Sequence, residues 1–436
     1  MTPPQKVAVF GLDGVPYSLL ERLFQEGVMP RLADVAKSGT FLRMRSALPA
    51  VSSVAWTSFM TAVNPGSHGI FGFTDLAGDE ISLHLPSFDD IQWPTLWQQA
   101  GDRTSVVVNL PFTYPARPLR GVLISGFVAP VFERSVYPDS LIPWLKARNY
   151  RTDVDCVKGR TDRMFLVADL FETLNTLEDV TLRLMDTEPW DLFVCAVTGT
   201  DRFYHFFFDA AYDKDHAHHR DFIEYHKRVD SFFGRFLDKL SGDTRLIILS
   251  DHGFTALKTQ VYLNHILRNL GYLLFRNPNP VGLEDIDPRS RAFALDPTRI
   301  YLHTKDRFRR GALSPTETVE VREKLKNDLE TMSLSHVGIM EDADASDARL
   351  FEQVLYREEI YSGEMTSFAP DLVVVPRRGY DVKAALNVFS PTMTDIFTGM
   401  HTHDDAFVIV NDPAVAGSLP DPDITDAGRL VLEALR

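Results

Sequence analysis

Cysteine is scarce: Cys156 and Cys195 are the two in 436 residues, which excludes a disulfide framework. Cys195 lies inside an apolar run and reads as a small packing side chain. Basic residues are the minority, 45 Lys and Arg against 60 Asp and Glu, for a formal net charge of −15. That balance argues against a nucleic-acid polymer or an anionic membrane as the main partner. It leaves a phosphate substrate open, because bound divalent cations reverse the local potential. No stretch reaches the roughly 18 consecutive apolar residues of a membrane span. Met1–Lys6 leaves no room for a secretory leader before the first strand, so a reducing, cytoplasmic location is expected. No internal repeat or low-complexity tract is present, and the apolar and charged fractions are those of a globular protein. The length admits two or three domains, or one large α/β sheet with insertions.

What the chain does have is a set of short apolar runs that end on acids. Val7–Phe10 leads to Asp13, Leu192–Val197 to Asp201 with His205 four residues on, and Leu246–Leu249 to Asp251-His252. Continuous apolar runs of this length read as strands buried on both faces. In an open parallel sheet, functional groups gather beyond the carboxyl ends of such strands. One sheet edge is therefore expected to hold Asp13, Asp201, His205, Asp251 and His252, a donor set suited to Zn²⁺ or Mn²⁺. Each alone has a plain structural reading, such as an Asp capping a helix. Their recurrence at strand ends argues for a metal site.

Helical spacing marks Leu19–Glu26, Met29–Ser38, a segment from near Ser52 to about Ala62, a long amphipathic stretch through Leu166 and Leu184, Phe222–Leu240, and Thr425–Leu435. Asn64-Pro65-Gly66 is a strong breaker. Strands are expected at Thr104–Val108 and Ala406–Val410. Residues 76–190 and 258–390 are weakly patterned and read as cap or insert regions within a single domain spanning 1–436. His216, His218 and His219 cluster in a polar connection and read as a solvated loop, and His68 as structural. Gly11-Leu12-Asp13-Gly14 is no dinucleotide fingerprint, since the third glycine and the ribose-binding acid are missing.

Ser52 stands at an expected helix start, where backbone N–H groups and the helix dipole favour an anion. Capping is the ordinary role of such a serine. Beside metal ions the same hydroxyl becomes a nucleophile toward phosphorus.

Pro49–Ser52 followed by Thr61–Ile70, then Asp201–His205, Ser250–Phe254 and Gly399–His401, resembles the motif series of the alkaline phosphatase superfamily. It is most similar to the type I phosphodiesterase/nucleotide pyrophosphatase branch, including its predicted phosphohydrolases and phosphomutases. The matching segments run in order over nearly the whole chain, and Ser-Asp-His-Gly after an apolar strand is the most specific. The resemblance implies a three-layer α/β/α sandwich with a mostly parallel central sheet and cap insertions. It also implies a nucleophile nine residues before Thr61, which selects Ser52 over Ser53. By the same likeness Asp201, His205 and His401 hold one divalent ion, and Asp13, Asp251 and His252 the other, with Ser52 at or between them. Zn²⁺ is the first expectation for both ions and Mn²⁺ the second. The implied reaction is a phosphodiesterase or phosphatase reaction on a small phosphate ester, through a phosphoseryl intermediate on Ser52.

The chain departs from that branch at Phe73, where nucleotide pyrophosphatases carry an oxyanion-holding Asn. Backbone N–H groups at the Ser52 helix start are an alternative donor. His403 competes with His401, which is preferred for its place after Gly399. A sulfatase is a near rival, but Trp56 stands where sulfatases carry an Arg. A phosphoglycerate-mutase-like phosphomutase usually has a longer chain with a large inserted domain. A metal-free, catalytically silent binding protein of the same fold is the rival from another class.

Overall fold

The computed structural model describes residues 5–339, 348–393 and 396–436. The first four residues of the Met1–Lys6 lead-in lie outside them, as do 340–347 within the expected insert 258–390. The chain divides into two compact units: residues 1–64, 87–255 and 396–436, and residues 65–86 with 256–395.

The first unit is built on eight strands: β1 (Val7–Leu12), β2 (Thr40–Met44), β3 (Ser105–Leu110), β4 (Gly121–Ser125), β5 (Val136–Tyr137), β6 (Leu192–Val197), β7 (Arg245–Leu249) and β8 (Ala406–Val410). They form one sheet in the order β2-β8-β7-β1-β6-β3-β4-β5. The five central strands β7, β1, β6, β3 and β4 are parallel. The strands at both edges are antiparallel. Val7 of β1 sits opposite both Leu192 and Arg245, so the three acid-bearing strands are immediate neighbours in matched register.

Every residue of β1, β3 and β6 is buried, which explains their unbroken apolar sequences. On one face Ala8, Phe10 and Leu12 join a core built largely from helices α1 (Tyr17–Gln25), α2 (Pro30–Ser38), α4 (Arg163–Thr187) and α6 (His219–Leu237). The Phe10 ring lies 5.1, 5.3 and 5.2 Å from those of Phe232, Phe233 and Phe236 on α6. Each Phe buried in this way contributes roughly 1.5–3 kcal/mol. On the other face lies α3 (Ser52–Thr61), all ten of whose residues are buried. It is stopped at Ala62, in the left-handed region at φ 59°, just before the expected Pro65-Gly66 breaker. Gly11 on β1 admits it: a Cβ there would stand 2.6 Å from Trp56 Cη2. The C-terminal helix α7 (Ile424–Leu435) covers α3 as closely, since a Cβ on Gly428 would meet the Phe59 carbonyl oxygen at 2.4 Å. The expected α/β class and mostly parallel sheet are thus observed.

The expected helices lie within a few residues of their predicted ends; α6, for example, stops at Leu237 rather than Leu240. The larger difference concerns residues 76–190, read from sequence as a cap. Within them β3, β4 and β5 belong to the central sheet, and α4 to one of its helical faces. The edge strand β5 has two residues and β4 follows a proline-rich stretch, so neither shows a strand period.

The second unit has its own core around a four-stranded antiparallel sheet, in the order Ala292–Leu295, Arg299–Leu302, Leu372–Pro376 and Phe351–Tyr356. Most of the expected insert 258–390 lies here. Its internal anchor is Arg299, fully buried, which donates to the Asp296 carbonyl and to the Tyr301 and Thr74 hydroxyls. Gly72 faces that guanidinium, where a Cβ would lie 2.7 Å from Cζ. Among the described residues, no helix is long and apolar enough to cross a membrane.

Candidate active site

Because β7, β1 and β6 are neighbours, the acids beyond their carboxyl ends converge without any long excursion of the chain. Asp13 follows β1 directly, and its N–H donates to Val197 O of β6 at 3.1 Å. Asp251 and His252 follow β7, and Asp251 Oδ1 accepts the Gly14 N–H at 3.0 Å. Gly14 holds φ 71°, a conformation that favours glycine, and so turns its amide toward that carboxylate. Asp201 and His205 both lie on α5 (Gly199–Phe207), where i, i+4 spacing puts them on one face. His401 comes from the strand Gly399–Thr402, which pairs with Gly253–Ala256.

At one end of the cluster, His252 Nε2 lies 3.7 Å from Asp13 Oδ1 and 3.4 Å from Asp251 Oδ2. At the other, His401 Nε2 lies 3.2 Å from Asp201 Oδ2 and 3.0 Å from His205 Nε2. His205 Nε2 is itself 3.3 Å from Asp201 Oδ2. The His252 and His401 rings stack at 3.8 Å and join the two ends. Asp13, Asp251 and His252 present ligand atoms within 4.8 Å of one another, and so do Asp201, His252 and His401. His252 is therefore shared between the two groups, whereas the sequence-based partition gave it to the Asp13 set alone.

The imidazoles are oriented as ligands. His252 Nδ1 is 3.1 Å from the Gly253 carbonyl and His401 Nδ1 is 3.0 Å from that of Ala50. A carbonyl only accepts, so each Nδ1 carries a proton, and Nε2 is the ring nitrogen that faces the cluster. Burial pushes His252 and His205 below the ordinary histidine value, toward the neutral ligand form. Asp13 and Asp251 have no charged group in hydrogen-bond contact to match them among the described residues. Burial and the neighbouring Asp251 and Asp201 raise Asp13 well above its ordinary value, and burial first raises Asp251 to about 7. Burial also disfavours ionised Asp201, but His205, His401 and Arg202 outweigh it and hold the carboxyl low. Asp251 Oδ2 is buried with no hydrogen-bond donor. An orphaned carboxylate oxygen beside inward-facing imidazole nitrogens fits a divalent cation.

Ser52 completes the cluster. It is the first residue of α3, directly after Val51, which occupies the extended N-cap position. The Ser52 Oγ lies 3.4 Å from Asp13 Oδ1 and 3.3 Å from His252 Nε2, with 2 % of the residue exposed. The Ser52 and Ser53 amides stand in the first helical turn, where the helix supplies no acceptors. Ser53 points elsewhere: its hydroxyl is buried without a partner.

The structure brings together all seven sequence-derived residues, Asp13, Ser52, Asp201, His205, Asp251, His252 and His401. His403 joins neither ligand group among the described residues. His218 and His219 are tied to Asp221 and the Ala210 carbonyl, and His216 lies 3.6 Å from Asp209. His68 is buried in the second unit, accepting the Ile70 N–H, and burial lowers it to about 3. Phe73 also belongs to that unit. Sequence reading missed Trp56, whose Nε1–H donates to Asp13 Oδ2 at 2.9 Å. Its i+4 spacing from Ser52 on α3 was the available signal. It also missed Arg202, which bonds Asp201 Oδ1 at 2.9 Å.

Carboxylates, imidazoles and a helix-borne hydroxyl on this edge of a doubly covered parallel sheet are the arrangement of the alkaline phosphatase superfamily. Within it, the chain belongs to the type I phosphodiesterase/nucleotide pyrophosphatase family, whose profile matches residues 7–401. It is thus a hydrolase of phosphoester bonds in a metal-dependent family. Among solved structures, it is similar to phosphonoacetate hydrolase from Sinorhizobium meliloti 1021 in complex with phosphonoacetate, at 15 % identity and a TM-score of 0.66 over 99 % of this chain and 96 % of that one. An inactive variant of murine ectonucleotide pyrophosphatase/phosphodiesterase 5 with AMP gives 13 % identity and 0.57 over 99 % and 95 %. The human form of that protein gives 13 % and 0.56 over the same shares. No curated protein matches in sequence.

Proposed function

We propose that this protein cleaves a small phosphate ester, a diester in the first instance, by way of a phosphoseryl group on Ser52. The observation that carries this reading is the Ser52 hydroxyl itself, which is turned to Asp13 and His252 inside the ligand cluster. Asp13, Asp251 and His252 would hold one divalent cation, and Asp201, His205 and His401 a second, with His252 near enough to serve either. Zn²⁺ suits the mixed imidazole and carboxylate donors best, and Mn²⁺ also fits. Bound there, the cations supply Lewis-acid stabilisation of charge developing on the phosphoryl oxygens.

The chain's own groups do the rest. Ser52 Oγ forms a bond to phosphorus as the ester oxygen leaves with a proton. Water then cleaves the Ser52 O–P bond, returning the proton to Oγ and releasing phosphate or a phosphomonoester. Ser52 and Ser53 amides, at the positive end of α3, are placed to donate to a phosphoryl oxygen, a role Phe73 has no group to fill. Trp56 and Gly14 fix Asp13 and Asp251 by one hydrogen bond each. The similar structures hold phosphonoacetate and AMP, both with anionic oxygens on phosphorus, which supports a small substrate of that type.

All seven residues belong to the first unit, so catalysis is assigned to it and residues 258–390 to an insertion. Both cysteines are free, which supports a reducing, cytoplasmic location. Metal analysis of the purified protein, with aryl phosphate monoester and diester hydrolysis in Zn²⁺ and Mn²⁺, tests the assignment. About two bound equivalents and faster diester cleavage are expected. A metal-free protein inert in both metals would show a binding protein instead.

A further inference from the structure

Arg202 is the one cation in hydrogen-bond contact with a cluster carboxylate among the described residues, and its geometry is that of a brace. Its Nη1 donates to Asp201 Oδ1 at 2.9 Å. Its other edge grips Asp153 twice, Nε to Oδ1 at 3.0 Å and Nη2 to Oδ2 at 2.8 Å. The guanidinium lies over the Phe127 ring, 4.1 Å from its centroid. Three sides of a planar group are thus fixed by partners on three separate segments, and the side chain is 17 % exposed. Burial opposes the charge on Arg202, but Asp153 and Asp201 more than restore it.

The consequence falls on Asp201. With Oδ1 held by Arg202, Oδ2 is the oxygen left facing His205 and His401, at 3.3 and 3.2 Å. We infer that Arg202, itself anchored by Asp153 and Phe127, is a positioning residue that presents Asp201 to a divalent cation through Oδ2 alone. The inference rests on the proposed ligation by Asp201, His205 and His401.

Charge and position predict opposite signs here. Arg202 places a positive charge beside a cation site, so on charge alone its removal tightens cation binding. As a brace, its removal frees the carboxylate to rotate and weakens binding, by about 10- to 100-fold for an outer partner of a ligand. The experiment is Zn²⁺ titration of the metal-stripped full chain against a competing chelator, for wild type, Arg202→Met and Arg202→Lys, with circular dichroism to confirm folding. The expected result is two wild-type binding events, one of them weakened about 10- to 100-fold by Arg202→Met and left mostly weakened by Arg202→Lys, which keeps charge but not the fork. Unchanged or tighter binding in Arg202→Met, or full recovery in Arg202→Lys, overturns the inference. Should Arg202→Met fail to fold, Asp153→Asn loosens the anchor while sparing the Asp201 contact. A loss of several-fold in one event is then expected, and unchanged affinity overturns the brace. Failure of the wild type to bind metal would refute the proposed ligation instead.

Discussion

Replacing Ser52 by Ala removes one oxygen whose two contacts, at 3.4 and 3.3 Å, are at the long end of hydrogen bonding. Its loss therefore costs at most about 1 kcal/mol of stability. The neighbouring Ser53→Ala removes a buried hydroxyl that has no partner. That change is neutral, or stabilising by about 1 kcal/mol, because an unsatisfied group disappears. The two variants should then unfold within about 2 kcal/mol of each other. In catalysis they should part widely. Without Oγ no bond to phosphorus can form, and kcat should fall at least ~10³-fold, equivalent to about 4 kcal/mol at 1.36 kcal/mol per decade. Ser53→Ala should stay within about tenfold of wild type. The assay is steady-state hydrolysis of an aryl phosphate diester in Zn²⁺ or Mn²⁺, with acid quenching and mass analysis to capture phosphoserine. Equal, small losses in both variants, with Ser52→Ala folded, would refute Ser52 as nucleophile.

Trp56→Phe keeps most of the buried volume but withdraws the donor from Asp13 Oδ2, a bond to a charged group worth about 1.5–3 kcal/mol. About a tenfold loss in kcat or in affinity for one cation is expected, and an unaltered enzyme by both measures would remove Trp56 from the site. Gly11→Ala drives a Cβ to 2.6 Å from the Trp56 ring, which is fully buried and cannot yield, so denaturant titration should show destabilisation of about 1–3 kcal/mol. His226 is fully buried, accepting from Tyr204 Oη and donating to the Phe222 carbonyl, and burial lowers it to about 4. The unfolded chain, with its histidine near 6.5, binds this proton more readily, so stability is lost as pH falls from about 6.5 toward 4. The loss amounts to about 3 kcal/mol; His226→Gln should flatten that slope in denaturant titrations at several pH values, and an identical slope would count against it.

What was visible before folding was local. Apolar runs buried on both faces announce themselves without any partner, so Val7–Phe10, Leu192–Val197 and Leu246–Leu249 were readable as strands, and the residues after them as a sheet edge. The i, i+4 relation of Asp201 and His205 is likewise a property of one helix. Ser52 was singled out by resemblance and His401 by its place after Gly399, and both arrive at the cluster. The strand at Ser105–Leu110 was expected within a residue or two, but the second unit and the strands Gly121–Ser125 and Val136–Tyr137 were not visible, because short or flanking strands carry no period that distinguishes them from loop.

The sequence by itself determined the α/β class, the chemistry-bearing residue types and the local segments that carry them. Only the tertiary structure decided that β7, β1 and β6 are neighbours, which makes three distant acids one site. It also decided that His252 lies between both ligand groups, that Trp56 holds Asp13, and that Asp153 holds Arg202. Those relations join residues up to hundreds of positions apart, and sequence periodicity reports only what one helix or strand does along its own length. Pairing and packing between elements are set by register and core shape, which exist only once the sheet has closed over its helices.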